Sequence, residues 1–284
     1  MRVLVLGASG MLGNTMIRVL GKNPAHKIYG STRSILDDQV FSASLKSRIT
    51  SGIDVENSEI LTRFLQDLRP EIVINCIGLV KQIEEANNPI HAISINALLP
   101  HLLARECQNI NARLVHFSTD CVFSGRNGYY SETDEPDALD LYGRSKLLGE
   151  VDYPHAVTLR TSIIGHELYS NHGLIDWFLS QEGTVKGYTH AIFSGLPTCE
   201  LASVTNKYVL PNPDLHGTYH VAASPISKFD LLNLVNKAYD KGLQIIPDGQ
   251  VKLDRSLDPS LFSELTGYVA ADWPELVAKM HDFQ

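Results

Sequence analysis

The chain has 284 residues and a formal charge of -8, with 44% hydrophobic and 20% charged residues. That length supports one large core or about one and a half domains, and an acidic balance without a long Lys/Arg run argues against a nucleic-acid or anionic-membrane partner. No apolar run approaches a membrane span, glycines interrupt the opening MRVLVLGASG too early for a secretion signal, and four cysteines without CxxC spacing point to a reducing cytoplasm and buried free thiols.

Arg2–Leu6 is a five-residue β-type run, and Met11–Leu20 has helical apolar spacing. Lys27–Tyr29 reads as a short second strand, Ile60–Leu68 as a helix and Glu71–Cys76 as a strand. Ile90–Cys107 reads as one long helix, Arg113–Phe117 as a strand, Leu141–Val151 as a helix and Ala156–Arg160 as a strand. Strands apolar at consecutive positions are buried on both faces, as in a parallel sheet. Their alternation with helices predicts βαβ units, hence an α/β Rossmann-type doubly wound sheet.

The pattern loosens after Gly165: a helix over Leu174–Leu179, extended pieces to Thr198, a helix over Cys199–Leu210, a strand over Gly217–Val221, a helix over Phe229–Lys241 and a polar finish. The expected division is a nucleotide-binding domain of residues 1–165 and 197–222, with a smaller C-terminal substrate lobe of residues 166–196 and 223–284. Ligands of such folds sit beyond the carboxyl ends of the strands.

Gly7, Gly10 and Gly13 spell GxxGxxG between the first strand and the first helix. Glycines there allow a tight turn and close approach of backbone N–H groups to a diphosphate at a helix N-terminus. After the second strand, where NAD sites usually carry an acid, the chain reads Gly30-Ser31-Thr32-Arg33. A guanidinium suits a 2′-phosphate, so Arg33 predicts NADP(H); the plain alternative is a surface charge. Asp54 and Val55 either meet the adenine edge or, for Asp54, cap the helix that follows.

Tyr142 and Lys146 stand four apart on one helical face. A neighbouring ammonium favours the phenolate and brings tyrosine into acid–base range. Thr119, after the RLVHF strand, is placed to hydrogen-bond a substrate carbonyl, with Asp120 beside it. Asn96, on the long helix, is placed to hold a water linking Lys146 to solvent. A YxxxK pair alone is common; its order after glycine loop, Asn96 and Ser118-Thr119-Asp120 is not.

In that order GASGMLG, NCIG, FSTDCVFSG and YGRSKLLGE resemble the extended short-chain dehydrogenases, and within them the dTDP-4-dehydrorhamnose reductase family. Gly195-Leu196-Pro197-Thr198 resembles that family's GxPT segment beside the substrate. The resemblance implies Thr119, Tyr142 and Lys146 as catalytic. It implies Gly7, Gly10, Met11, Leu12, Arg33, Asp54, Val55, Cys76, Ile77, Gly78, Asn96 and Lys146 around the cofactor. Substrate contacts are expected from Lys81, Thr119, Asp120, Tyr142, Trp177 and Pro197. The implied reaction is NADPH-dependent reduction of a 4-keto sugar on a nucleoside diphosphate, feeding surface polysaccharide, with a homodimer as the common assembly.

Two departures bear on the sugar. The segment after the fourth strand reads NCIGLVKQ rather than the alanine-rich NAAAYT, and Gly173 replaces an asparagine in HGLIDWF. Both open a UDP-linked 2-acetamido-2,6-dideoxy-hexulose beside dTDP-4-dehydrorhamnose as substrate. An epimerase or epimerase–reductase would need a further acid–base pair, for which Cys121 and Lys81 are candidates. A non-catalytic NADP-binding regulatory subunit, as in methionine adenosyltransferase, would not need Tyr142. The scattered histidines form no metal-ligand pattern, and His216 and His220 bracket a glycine in a strand-like context. Trp177 and Phe178, near Tyr188 and Phe193, either stack on a nucleobase or pack the small lobe. Asp254-Arg255-Ser256-Leu257 reads as an anchoring segment.

Overall fold

A computed structural model describes residues 1–35, 41–80, 87–169 and 171–283. Lys81 and Gln82 lie outside the described residues. The chain falls into two compact units: Met1–Ser118, Asp140–Leu159 and Ala202–Thr218 form the first, and Thr119–Leu139, Arg160–Leu201 and Tyr219–Gln284 the second. Residues 166–196 and 223–284 fall in the second, which also takes in Thr119–Leu139 and residues 160–165, 197–201 and 219–222 of the stretches expected in the first.

The first unit carries β1 (Arg2–Leu6), α1 (Met11–Leu20), β2 (Lys27–Thr32), α2 (Ala43–Lys46), β3 (Ile49–Ser51), α3 (Ser58–Leu68) and β4 (Ile72–Asn75). There follow α4 (Pro89–Ala92), a π-helical turn (Ile93–Leu98), α5 (Leu99–Asn109), β5 (Arg113–Thr119), α6 (Leu141–Leu148) and β6 (Ala156–Thr161). All four side chains of β4 are buried, as are four of five in β1, the burial expected of parallel strands covered on both faces. β1 pairs in parallel with β2 and β4, β2 with β3, and β4 with β5. The seven-stranded sheet runs β3-β2-β1-β4-β5-β6 and ends on a strand at Gly217–His220, the order in which connections reverse beside β1. Leu4, Leu6, Leu61, Leu65, Val73, Leu99, Leu103 and Leu114 build the core on the α3 and α5 side. The long helix expected over Ile90–Cys107 is one continuous helical stretch from Pro89 to Asn109, started by the Asn88 side chain on Ile90 N and widened by the π turn. Arg113 holds the returning segment, donating from Nη1 to Val209 O and from Nη2 to Leu215 O, both at 2.7 Å.

The second unit holds β7 (Ile163–Ile164), α7 (Leu174–Ser180), β8 (Thr184–Phe193), β9 (Leu196–Pro197) and α8 (Thr198–Val204), the last running into a second π turn, Thr205–Val209, of the first unit. After β10 (Gly217–His220) come β11 (Ile226–Ser227), α9 (Lys228–Ala238), β12 (Gln244–Asp254), α10 (Ser260–Thr266) and α11 (Trp273–Asp282). β8 lies between β11, antiparallel, and β12, parallel. The polar finish expected after Lys241 is therefore wrong: that stretch is a strand and two helices. β12 escapes detection because Pro247 and Gly249 break it and most of it is exposed. α11 buries Trp273, Leu276, Val277 and Met280 at helical spacing, capped by Asp272 on Glu275 N; that signal is legible. Among the described residues no helix is long and apolar enough to cross a membrane.

Candidate active site

The glycine loop is a backbone cradle. Gly7 holds a positive φ of 80°, and a Cβ on Gly13 would lie 2.0 Å from Gly7 O, so the loop and α1 pack backbone to backbone. Ala8 N donates to Ser31 O at 2.9 Å, fixing the loop on β2. α1 starts at Gly10 with no side-chain cap. The N–H groups of its first turn, at Met11 and Leu12, have no intrahelical acceptor, which fits a diphosphate. Leu12 is buried and Met11 half-buried. Arg33 is exposed just past β2. Asp54 does not cap α3: Asn57 does, accepting from Glu59 N and Ile60 N. Asp54 is exposed and closes a local turn on Glu56 N at 3.1 Å, while Val55 belongs to the core.

The segment after β4 is held by two asparagines. Asn75 Oδ1 accepts from Ile77 N at 3.1 Å, and a Cβ on Gly7 would lie 2.9 Å from Ile77 Cγ1. Asn96, in the π turn, grips Leu79 from both sides: Oδ1 accepts from Leu79 N at 2.9 Å and Nδ2 donates to Leu79 O at 3.1 Å. Nδ2 also reaches Ser145 Oγ at 3.3 Å. Asn96 is thus a backbone clamp, its side-chain oxygen and both N–H groups engaged. A Cβ on Gly78 would lie 3.5 Å from Asn96 Oδ1 and 3.9 Å from Lys146 Nζ, so Gly78, Asn96 and Lys146 meet. Cys76 is half-buried, its thiol pushed far up by burial.

α6 starts on Asp140, whose side chain accepts from Gly143 N at 2.8 Å. Tyr142 is half-buried one turn before Lys146, and its carbonyl accepts from Ser145 Oγ at 3.0 Å. Lys146 is buried, and Nζ donates to Phe117 O at 2.7 Å. Burial lowers the ammonium to about 8, and Glu150 opposes that fall. A lysine so placed holds its proton near neutrality while sharing it readily with a neighbouring tyrosine.

His116, on β5, is buried, and its Nδ1 lies 3.1 Å from Asn75 Nδ2. Because Asn75 Oδ1 is taken by Ile77 N, Nδ2 is the donor and His116 carries its proton on Nε2. Burial, then Lys146, keeps His116 well below its ordinary pKa, hence neutral. Sequence reasoning assigned no role to His116, Ser145, Gly149 or Glu150. Three of the four stand inside the quoted YGRSKLLGE, which was the available signal.

In the second unit, Thr119 Oγ1 donates to Asp120 Oδ1 at 3.1 Å and accepts from Cys121 N at 3.1 Å. Burial raises Asp120, opposed by Arg255 and by hydrogen bonds from Cys121, Thr119 and Ser162. Arg255 donates from Nε to Phe123 O at 2.8 Å and from Nη1 to Cys121 Sγ at 3.4 Å, and Ser256 Oγ accepts from Tyr129 N at 2.8 Å. The segment Asp254–Leu257 therefore anchors the loop that follows Thr119. Pro197 is buried, in register with Ile164. Trp177 and Tyr188 are exposed, but Phe178 and Phe193 are core, Phe193 against Trp273 at 5.6 Å; for those two the stacking alternative fails. His220 has both ring nitrogens in use: Arg160 Nη1 donates to Nε2 at 3.3 Å, so Nδ1 donates to Tyr130 O at 2.9 Å. Among the described residues no group of three His, Cys, Asp or Glu is arranged to hold a metal ion.

The family model of the RmlD substrate binding domain matches residues 1–251. A probable low-salt glycan biosynthesis reductase of Haloferax volcanii is 30% identical over 78% of this chain and 75% of its own. The beta subunit of methionine adenosyltransferase 2 from Bos taurus is 31% identical over 52% of this chain and 41% of its own. Among solved structures, dTDP-4-dehydrorhamnose reductase of Bacillus anthracis, in complex with NADP, superposes with a TM-score of 0.80 at 25% identity, covering 98% of each chain.

Proposed function

We propose that this chain, which belongs to the RmlD substrate binding domain family, is an NADPH-dependent reductase of a nucleoside-diphosphate-linked 4-keto-6-deoxy sugar. The observation that carries the reading is the buried Lys146 ammonium on Phe117 O, one turn after Tyr142 and beside Gly78 and Asn96. The kinship to reductases of the same family, one of them bound to NADP, supports it.

The residues that would hold NADPH are Gly7, Gly10, Met11 and Leu12 at the diphosphate, Arg33 at the 2′-phosphate, Asp54 and Val55 toward adenine, and Cys76, Ile77 and Gly78 along the rest. When bound, NADPH supplies the hydride that reduces the ketone carbon. Tyr142 gives its hydroxyl proton to the ketone oxygen, completing the alcohol, and regains one from solvent. Lys146 stabilises the phenolate left on Tyr142 Oη. Thr119, whose hydroxyl donates to Asp120 Oδ1, would steady the carbonyl oxygen as charge develops by turning that proton to the substrate. Asp120, Trp177, Pro197 and Lys81 are the proposed contacts to the sugar nucleotide. The product would serve surface polysaccharide, in the cytoplasm where NADPH is regenerated.

The test is a panel of dTDP-, UDP- and GDP-linked 4-keto sugars, each with NADPH and NADH. Stoichiometric NADPH oxidation with a dTDP- or UDP-linked member, faster than with NADH, is expected. No turnover with any member overturns the reading. It would direct attention to a role as a subunit of another enzyme, which is how the Bos taurus relative is named.

A further inference from the structure

The end of β5 is gripped twice from one short stretch of chain. Lys146 Nζ donates to Phe117 O at 2.7 Å, and four residues later Glu150 Oε1 accepts from Ser118 Oγ at 2.6 Å. Phe117 and Ser118 are neighbours, and the two gripping groups stand on the last turn of α6 and just past its end. α6 ends at Leu148, and Gly149 makes the turn possible: a Cβ there would lie 1.9 Å from Asn96 O. The chain can thus bring Glu150 back under the sheet end only because position 149 has no side chain.

We propose that Glu150 is a positioning residue for proton transfer: anchored on the Ser118 hydroxyl, next to the Phe117 carbonyl that receives Lys146 Nζ, its carboxylate sustains the charge of the Lys146 ammonium through space. This rests on the reading that Lys146 and Tyr142 act together. Burial works against the charge on Lys146, and Glu150 is the group that opposes it. Of the other titratable groups near α6, Asp140 caps its first turn on Gly143 N, Arg144 is exposed on the helix, and three histidines stand on neighbouring elements. His116 on β5 is neutral, His91 on α4 faces Glu56 at 3.6 Å, and His101 on α5 contacts Leu148 O and Tyr153 Oη. Tyr142 is the intended partner. A carboxylate beside a buried ammonium raises its proton affinity, so Lys146 keeps its charge at neutral pH in spite of burial.

The experiment is a titration of the full chain carrying 13Cε-labelled lysine, with the Lys146 resonance identified by its loss in Lys146→Arg. It needs neither cofactor nor sugar, so it stands or falls apart from the substrate panel. Wild type is expected to titrate at about 8. Glu150→Gln lowers that midpoint, by about one unit for a lost opposite charge. Where the panel finds a substrate, the deficit of Glu150→Gln grows with pH, becoming about fivefold larger near pH 8 than near pH 6. Should Glu150→Gln fail to fold, Ser118→Ala removes only the anchor and lowers the midpoint by less. An unchanged Lys146 midpoint in the folded variant overturns the proposal.

Discussion

His116 and His220 set how this chain meets acid. Each has its tautomer fixed by its neighbours: Asn75 donates to His116 Nδ1, and Arg160 donates to His220 Nε2. Protonating either ring would put a second N–H against an existing donor. Burial and a nearby cation, Lys146 for His116 and Arg160 for His220, keep both below 6.5, with His220 at about 4. The sign follows from linkage. The unfolded chain takes up these protons first, so the stabilisation is complete above the ordinary pKa of 6.5 and lost as pH falls towards 4. Urea unfolding at stepped pH should show stability falling through that window. His220→Gln, which keeps acceptor and donor capacity without titrating, should flatten part of the fall. A slope in the variant as steep as in wild type would contradict this.

At the scale of elements, the site depends on a widened turn. The π turn Ile93–Leu98 turns Asn96 inward, where its amide clamps Leu79 and reaches Ser145. Such single π turns recur at functional positions. Its backbone is pressed by Gly149, so Gly149→Ala must push α6 and the π turn apart. The expected cost is ~1–3 kcal/mol, measured by thermal or urea unfolding, with a larger loss of turnover because Lys146 moves too. A variant as stable as wild type would contradict the close approach. Little of this is legible in the sequence. Apolar spacing marks a helix over Ile90–Cys107 but is blind to one extra residue per turn. The glycine loop, the strand before Thr119 and the Tyr142–Lys146 pair are legible, because each is a local pattern. Glu150 is not, because its partner Ser118 is distant in sequence, and neither spacing nor periodicity reports a hydrogen bond between them.

For the whole molecule, the second unit was the harder to read. Its β12 is exposed and broken by Pro247 and Gly249, so alternation fails there. Its small three-stranded sheet mixes parallel and antiparallel pairs, which no local pattern announces. The loop after Thr119 is secured by Arg255 and Ser256, more than 120 residues downstream. The central claim is that Tyr142, supported by Lys146, supplies the proton that completes reduction. It is tested most directly by the rate of NADPH oxidation in Tyr142→Phe against wild type, with the panel's best 4-keto sugar nucleotide and with NADPH affinity measured alongside. The account predicts a fall in kcat of ~10²–10⁴-fold with NADPH affinity nearly unchanged. Turnover by Tyr142→Phe at the wild-type rate would contradict it.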